Sequence, residues 1–187
     1  MAPKIKITKE NIIAAAVEAV RAEGIDALNA RALAAKLGCS TQPIFSNFST
    51  MDEVELAVIN EANELCEEYI SREVASGEYP PYKASGMAYI RFARDEKELF
   101  KLLFMRDRTG EPDYDEKEEL RPILKIIQDS LGLSEEEAFL FHLRTWIFVH
   151  GIAVMAATSY VKFDSEFISK ALTDAYMGFK HQLEREE

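Results

Sequence analysis

Apolar residues recur along this chain at intervals of three and four, with polar residues between them, which is the period of an amphipathic helix. Ile12, Ile13, Ala16, Val17 and Val20 predict a first helix from Lys9 to about Ala22, capped by Thr8 and stopped at Gly24. A shorter pattern follows, in which Asn29 is the cap, Leu33, Ala34 and Leu37 share one face, and Gly38 supplies a positive φ for a tight turn. Ser40 is expected to cap a third helix with Ile44, Phe45 and Phe48 as its inner face, turning Thr41, Gln42, Ser46 and Asn47 outward. Ile25 and Leu28 staple the connection, so the three helices read as a helix-turn-helix head. Many small helical hairpins share that periodicity.

The remaining pattern is helical as well. Thr50 and Glu53 form a capping box that opens a long helix through Val54, Ile59, Leu65 and Ile70 to about Ala75. The run Gly77-Glu-Tyr-Pro-Pro is a break, and helices from about Tyr82 to Asp95 and from Lys97 to Met105 come next. Arg106 to Asp115, with Gly110 and Pro112 among charges, is expected to be a mobile loop. Pro122 fits the first turn of a helix beginning near Leu120 and closed by Gly132. Ser134 and Glu137 form a second capping box, opening the most apolar helix of the chain, from Ala138 to about Thr158. Asp164 starts a last helix through Phe167, Leu172, Phe179 and Leu183. The expected fold is all-α: a three-helix head with the helix-turn-helix over residues 1–50 and an antiparallel helical body over residues 51–187. The apolar residues of the 138–158 helix surround too much of its circumference for the surface of a monomer, so it and the last helix are expected to pair with their mates in a four-helix homodimer interface.

Composition narrows the function. A net charge of −11 is unpromising for a polyanion binder until it is divided. Residues 1–51 carry six lysines and arginines against four acids, +2, which leaves −13 for the remainder. An acidic body would repel the duplex and orient the approach of the head, although an acidic surface that only keeps a helical protein soluble gives the same division. Lys4 and Lys6 form a short basic arm able to follow a phosphate backbone. No run of eighteen apolar residues or signal-peptide block occurs, so the expectation is a cytoplasmic protein with no membrane partner. Cys39 and Cys66 lie far from any Cys-x-x-Cys spacing, which favours two thiols over a disulfide or zinc site. There is no Gly-rich phosphate loop and no Gly-x-Ser-x-Gly, while His142 and His150 are eight apart and His181 is remote. No catalytic residue, metal site or cofactor is therefore expected.

The order Glu-Gly-Ile, then Ala-Leu-Asn-Ala-Arg-Ala-Leu-Ala-Ala-Lys-Leu-Gly-Cys-Ser, then Ile-Phe-x-x-Phe and Asp-Glu-Val at a new helix start resembles the TetR/AcrR family of bacterial transcriptional regulators over about residues 8 to 58. The resemblance implies a homodimer whose two third helices enter successive major grooves of double-stranded operator DNA. The DNA-facing set expected is Thr8, Arg31, Lys36, Ser40, Thr41, Gln42, Pro43, Phe45, Ser46 and Asn47. Two positions depart from the family pattern: Phe45 stands where a tyrosine is usual and Met51 where a lysine is common, so two usual phosphate contacts are missing. Pro43 is tolerable in a first helical turn and stiffens the start of the reading helix.

The run Trp146-Ile-Phe-Val-His150-Gly151 resembles a Trp, His, Gly signature in the C-terminal domains of one TetR subgroup. Trp146 and His150 are four apart and should stack on one face. His150 either donates to an effector lined by Met87, Phe100, Phe104 and Trp146, or is a core histidine bonded to a carbonyl, with Gly151 letting another helix approach. The reading drawn from all of this is a repressor released by an unidentified small apolar or amphipathic effector. The alternative is a helix-turn-helix protein acting through a protein partner without an inducer.

Overall fold

A computed structural model of the chain describes residues 7–109 and 116–186. The arm with Lys4 and Lys6, and the part of the expected loop holding Gly110 and Pro112, lie outside the described residues. Those described form nine α-helices and one 3₁₀ turn, with no strand among them. The helices are α1 (Lys9–Glu23), α2 (Ala30–Lys36), α3 (Gln42–Asn47), α4 (Met51–Ser76), α5 (Pro81–Asp95), α6 (Lys97–Phe104), α7 (Glu116–Leu131), α8 (Glu135–Ala157) and α9 (Ser165–Glu186). They fall into two compact units. One comprises Met1–Cys66 with Glu96–Arg106, the other Glu67–Asp95 with Asp107–Glu187. The helix-turn-helix unit thus runs past residue 50 and takes in both the first part of α4 and a later segment, α6.

In the first unit α1 is central. Thr8 and Asn11 cap it reciprocally, and Gly24, at φ 82°, ends it by donating to the Val20 carbonyl at 2.8 Å. Its buried face, Ile12, Ala15, Ala16, Val17 and Val20, meets α2, α3 and α6. α6 brings Leu99, Phe100, Leu102 and Leu103, all buried, and Arg21 of α1 pairs with Glu96 at 2.6 Å just ahead of α6. Asn29 accepts from Ala32 N–H at 2.9 Å, and Gly38 turns the chain at φ 64°.

Ser40 is not the cap of α3. Thr41 occupies that position in helical conformation without a side-chain cap bond. Pro43 lacks a donor, and the amides of Ile44 and Phe45 already bond to the Thr41 carbonyl, so few orphan N–H groups remain for a cap. Phe45 also leaves the expected inner face. Ile44 and Phe48, four apart, are buried and seat the helix, each contributing about 1.5–3 kcal/mol, while Phe45, a hundred degrees round, is half exposed. At the start of α4, Thr50 accepts from the Glu53 amide as expected, but the Glu53 carboxylate accepts from Ser49 N–H instead of Thr50 N–H.

The second unit is built on α8. Ser134 and Glu137 form its capping box, and Asp164 caps α9 by accepting from Phe167 N–H at 2.7 Å. Long and apolar enough to cross a membrane by length and composition, α8 nonetheless opens on three glutamates, buries His142 and Thr145, and packs against α5, α7 and α9 as a core helix does. Contact partners fix helix directions. Tyr82 meets His142 and Tyr89 meets His150, so α5 and α8 run parallel. Lys83 meets Thr173 whereas Tyr82 meets Tyr176, so α9 runs antiparallel to α5. Pro122 is not in a first turn: α7 starts at Glu116 and runs through it. Pro122 lies on the exposed side, where solvent can take up the helix bond its missing N–H removes.

Candidate DNA-facing surface and effector cavities

The burial of Ile44 and Phe48 decides what α3 offers to a partner. Ser40, Gln42, Phe45, Ser46 and Asn47 are exposed, and Thr41 and Pro43 half-buried, on one short helix. The Ser46 hydroxyl donates to the Gln42 carbonyl at 2.9 Å and the Asn47 amide to the Pro43 carbonyl at 2.8 Å, which holds both side chains in defined positions. Glutamine and asparagine carry the paired donor and acceptor that match an adenine edge. On α2, Arg31 and Lys36 are exposed, the latter 3.0 Å from Glu18, and Lys9 of α1 holds its ammonium 5.0 Å from the centroid of the Phe48 ring, at the end of α3. Thr8 is half-buried and occupied in capping α1. The ten residues expected to face DNA all belong to the first unit.

The five expected effector residues do not. Phe100 and Phe104 sit on α6 in the first unit with ring centroids 5.1 Å apart, and Phe100 is fully buried there. Met87, Trp146 and His150 belong to the second unit, with Met87 in its core. Trp146 stacks on His150 at 4.8 Å and 21°, as their spacing implies. His150 Nδ1 and the Tyr89 hydroxyl, on another helix, are 3.0 Å apart. One turn-pair earlier the arrangement repeats: the Tyr82 hydroxyl and His142 Nδ1 are 3.1 Å apart. Burial pushes the His142 imidazole down to about 4, lowers His150 as well, and raises the Tyr82 phenol. Both imidazoles are therefore biased to the neutral form.

Two cavities open beside these pairs, both lined wholly by the second unit. One, about 180 Å³, is bounded by Ile70 of α4, Tyr89 of α5, Ile123 of α7 and His142 and Trp146 of α8. The other, about 390 Å³, lies among α5, α7, α8 and α9. Tyr82, Gly86, Thr145 and Val149 border both. Gly86 matters through its size, since a methyl there would come within 3.3 Å of Leu172 and 3.7 Å of Val149. The polar groups on these walls are turned inward on the protein: Thr145 donates to the Phe141 carbonyl and Ser85 to that of Tyr82. Sequence reasoning reached Trp146 and missed Tyr82, Tyr89, His142 and Thr145. Tyrosines seven apart on one helix, facing histidines eight apart on another, were the available signal.

The far side of α8 is bare. Leu140, Leu143, Ile147 (61% exposed) and Met155 form a stripe at helical spacing, and Phe167 and Met177 of α9 are half exposed. A methyl added at Gly151 or Gly178 would meet nothing within 4 Å, so neither glycine is explained by packing inside the chain.

The chain thus carries a helix-turn-helix with an exposed polar third helix and, apart from it in the sequence, an all-helical unit with apolar cavities. A family profile described as tetracyclin repressor-like, C-terminal domain, matches residues 82–178, just over half of the chain. The chain belongs to the TetR family and is a transcriptional regulator. The profile does not itself assign the Trp-His-Gly subgroup. A comparison with curated proteins finds no match.

Proposed function

We propose that the protein is a homodimeric repressor that holds a near-palindromic operator through the two α3 helices and lets go when a small apolar or amphipathic molecule occupies the second unit. The observation that carries this is α4, one uninterrupted helix whose residues up to Cys66 belong to the DNA-facing unit and whose residues from Glu67 belong to the cavity-bearing one. Its far end is firmly held: Glu73, buried, accepts from Arg91 at 2.5 Å, and Tyr69 meets the Phe92 ring edge-on at 5.5 Å. Ile70, in the same stretch, lines the smaller cavity, so an occupant there bears directly on α4. The unpaired stripe of α8, with one open glycine on α8 and one on α9, supports the dimer, because a second copy would cover it and approach closely at Gly151 and Gly178. Two-fold symmetry then demands half-sites separated by whole helical turns of about 34–36 Å. DNA contact is assigned to Arg31, Lys36, Thr41, Gln42, Ser46 and Asn47, and effector contact to Trp146 with the Tyr89–His150 pair.

Selecting DNA fragments with the purified protein and titrating the winning operator, with and without ligands from an apolar library, tests the reading. Trp146, the single tryptophan, reports occupancy by its fluorescence. A coupling of about 1–3 kcal/mol predicts a 5- to 150-fold loss of operator affinity on ligand binding. A ligand that quenches Trp146 while operator affinity stays constant refutes the switch, and failure to select any DNA refutes the repressor.

A further inference from the structure

The 390 Å³ cavity has a feature that the smaller one lacks. Among the described residues lining it, Lys83 is the one charged side chain. Lys83 is half-buried, donates to Thr173 Oγ1 at 2.9 Å and holds its ammonium 4.9 Å from the Tyr79 ring centroid. No carboxylate among the described residues pairs with it. An ammonium carries three donors and Thr173 uses one, so the Lys83 charge is anchored without being neutralised. The first turn of α5, where Lys83 sits, has no acidic residue, and the positive end of that helix adds to the lysine. Apolar side chains, Ile126, Val149 and Leu172 among them, line the same cavity.

We propose that the effector of this cavity is an anionic amphiphile, a monocarboxylate with an apolar chain, whose headgroup docks on Lys83 and whose tail lies along Ile126, Val149 and Leu172. The proposal rests on the reading of the second unit as effector-binding and gives the larger cavity, which shares Tyr82, Gly86, Thr145 and Val149 with the one beside Trp146, a ligand class of its own. A cationic amphiphile would meet a like charge at the entrance, and a neutral one would fill the tail space but gain nothing from Lys83. A carboxylate accepts from the Lys83 N–H groups that Thr173 does not use, through charge-assisted hydrogen bonds, while the Thr173 hydroxyl goes on donating to the Ser169 carbonyl at 3.0 Å.

The test compares three probes that share one tail, laurate, 1-dodecanol and dodecylamine, kept below micelle formation and titrated calorimetrically into the full chain. Laurate should bind about tenfold or more tighter than dodecanol, with dodecylamine weakest, since one charge-assisted bond is worth about that factor. Lys83→Gln should erase the preference for laurate and Lys83→Arg should keep it. Ile126→Trp, which takes tail space, should weaken laurate and dodecanol alike. Equal affinities for the three probes, an unchanged preference in Lys83→Gln, or no binding by any probe overturns the assignment. Operator affinity is read in a separate titration. Laurate bound through Lys83 without loss of operator affinity upholds this site and overturns the effector switch. Operator release by another ligand, with laurate inert, does the reverse.

Discussion

His142 should make this protein acid-sensitive in a window where its carboxylates alone would not. It is a base buried on α8, with Tyr82 as hydrogen-bond partner and ring neighbour. Burial lowers its pKa from 6.5 to about 4. As pH falls, the unfolded chain therefore takes up the proton first, and native stability declines from about pH 6.5 down to about pH 4. Above that window the group is neutral in both states and costs nothing. The full shift corresponds to about 3 kcal/mol, of which about 2 kcal/mol is lost between pH 7 and pH 5. No discount for solvent screening applies, because the side chain is almost entirely covered. Urea unfolding at the two pH values and a fixed protein concentration, for wild type and His142→Gln, isolates the term. Glutamine keeps a polar partner for Tyr82 and does not titrate, so the variant should lose about 2 kcal/mol less than wild type on acidification, whatever its stability at neutral pH. Identical losses in the two proteins would show that His142 titrates normally and that its burial is relieved at little cost.

Gln42→Ala should alter which bases an operator prefers, whereas Lys36→Ala should weaken binding to all sequences alike and flatten its salt dependence; gel-shift titrations over a salt series separate the two effects. Ile147→Asp, placed in the centre of the bare α8 stripe, should yield a folded monomer by light scattering with helicity retained, and a wild type already monomeric at micromolar concentration would contradict the dimer. Pro122→Ala should restore an α7 hydrogen bond and raise the urea midpoint, a gain of about 1–3 kcal/mol.

What could be read from the residues was local chemistry. The caps at Thr8, Asn29, Ser134 and Asp164 act within three or four residues, so sequence order alone reveals them. The seat of α3 on Ile44 and Phe48 followed from their spacing of four, but Phe45 was drawn inward with them because periodicity in a six-residue helix cannot fix the width of its buried face. Pro122 was assigned a helix start by its known preference, and α7 carries it in mid-helix on an exposed side instead. The five residues expected to line an effector are divided between the two units. α6 is strongly apolar on one side, and nothing in that pattern states which helix it will cover; it covers α1 within the first unit, to which Phe100 and Phe104 therefore belong, whereas Trp146 belongs to the second. The Tyr82–His142 and Tyr89–His150 pairs join residues about sixty positions apart, and only the parallel run of α5 and α8 brings them together.

The excursion of α6 sets an order of events during synthesis. Forty residues of chain separate Cys66, where the first part of the first unit ends, from Arg106, where its second part is complete. At roughly 5–20 residues per second a ribosome needs about two to eight seconds to make them. Throughout that interval the patch of α1 that Leu99, Phe100, Leu102 and Leu103 will cover is open to water and to other nascent chains. The core of the first unit is therefore closed only after α5 has been made, and a fragment cut at residue 50 or 66 is a permanent form of that exposed intermediate. A peptide of residues 96–106 supplied separately is the missing half of such a fragment.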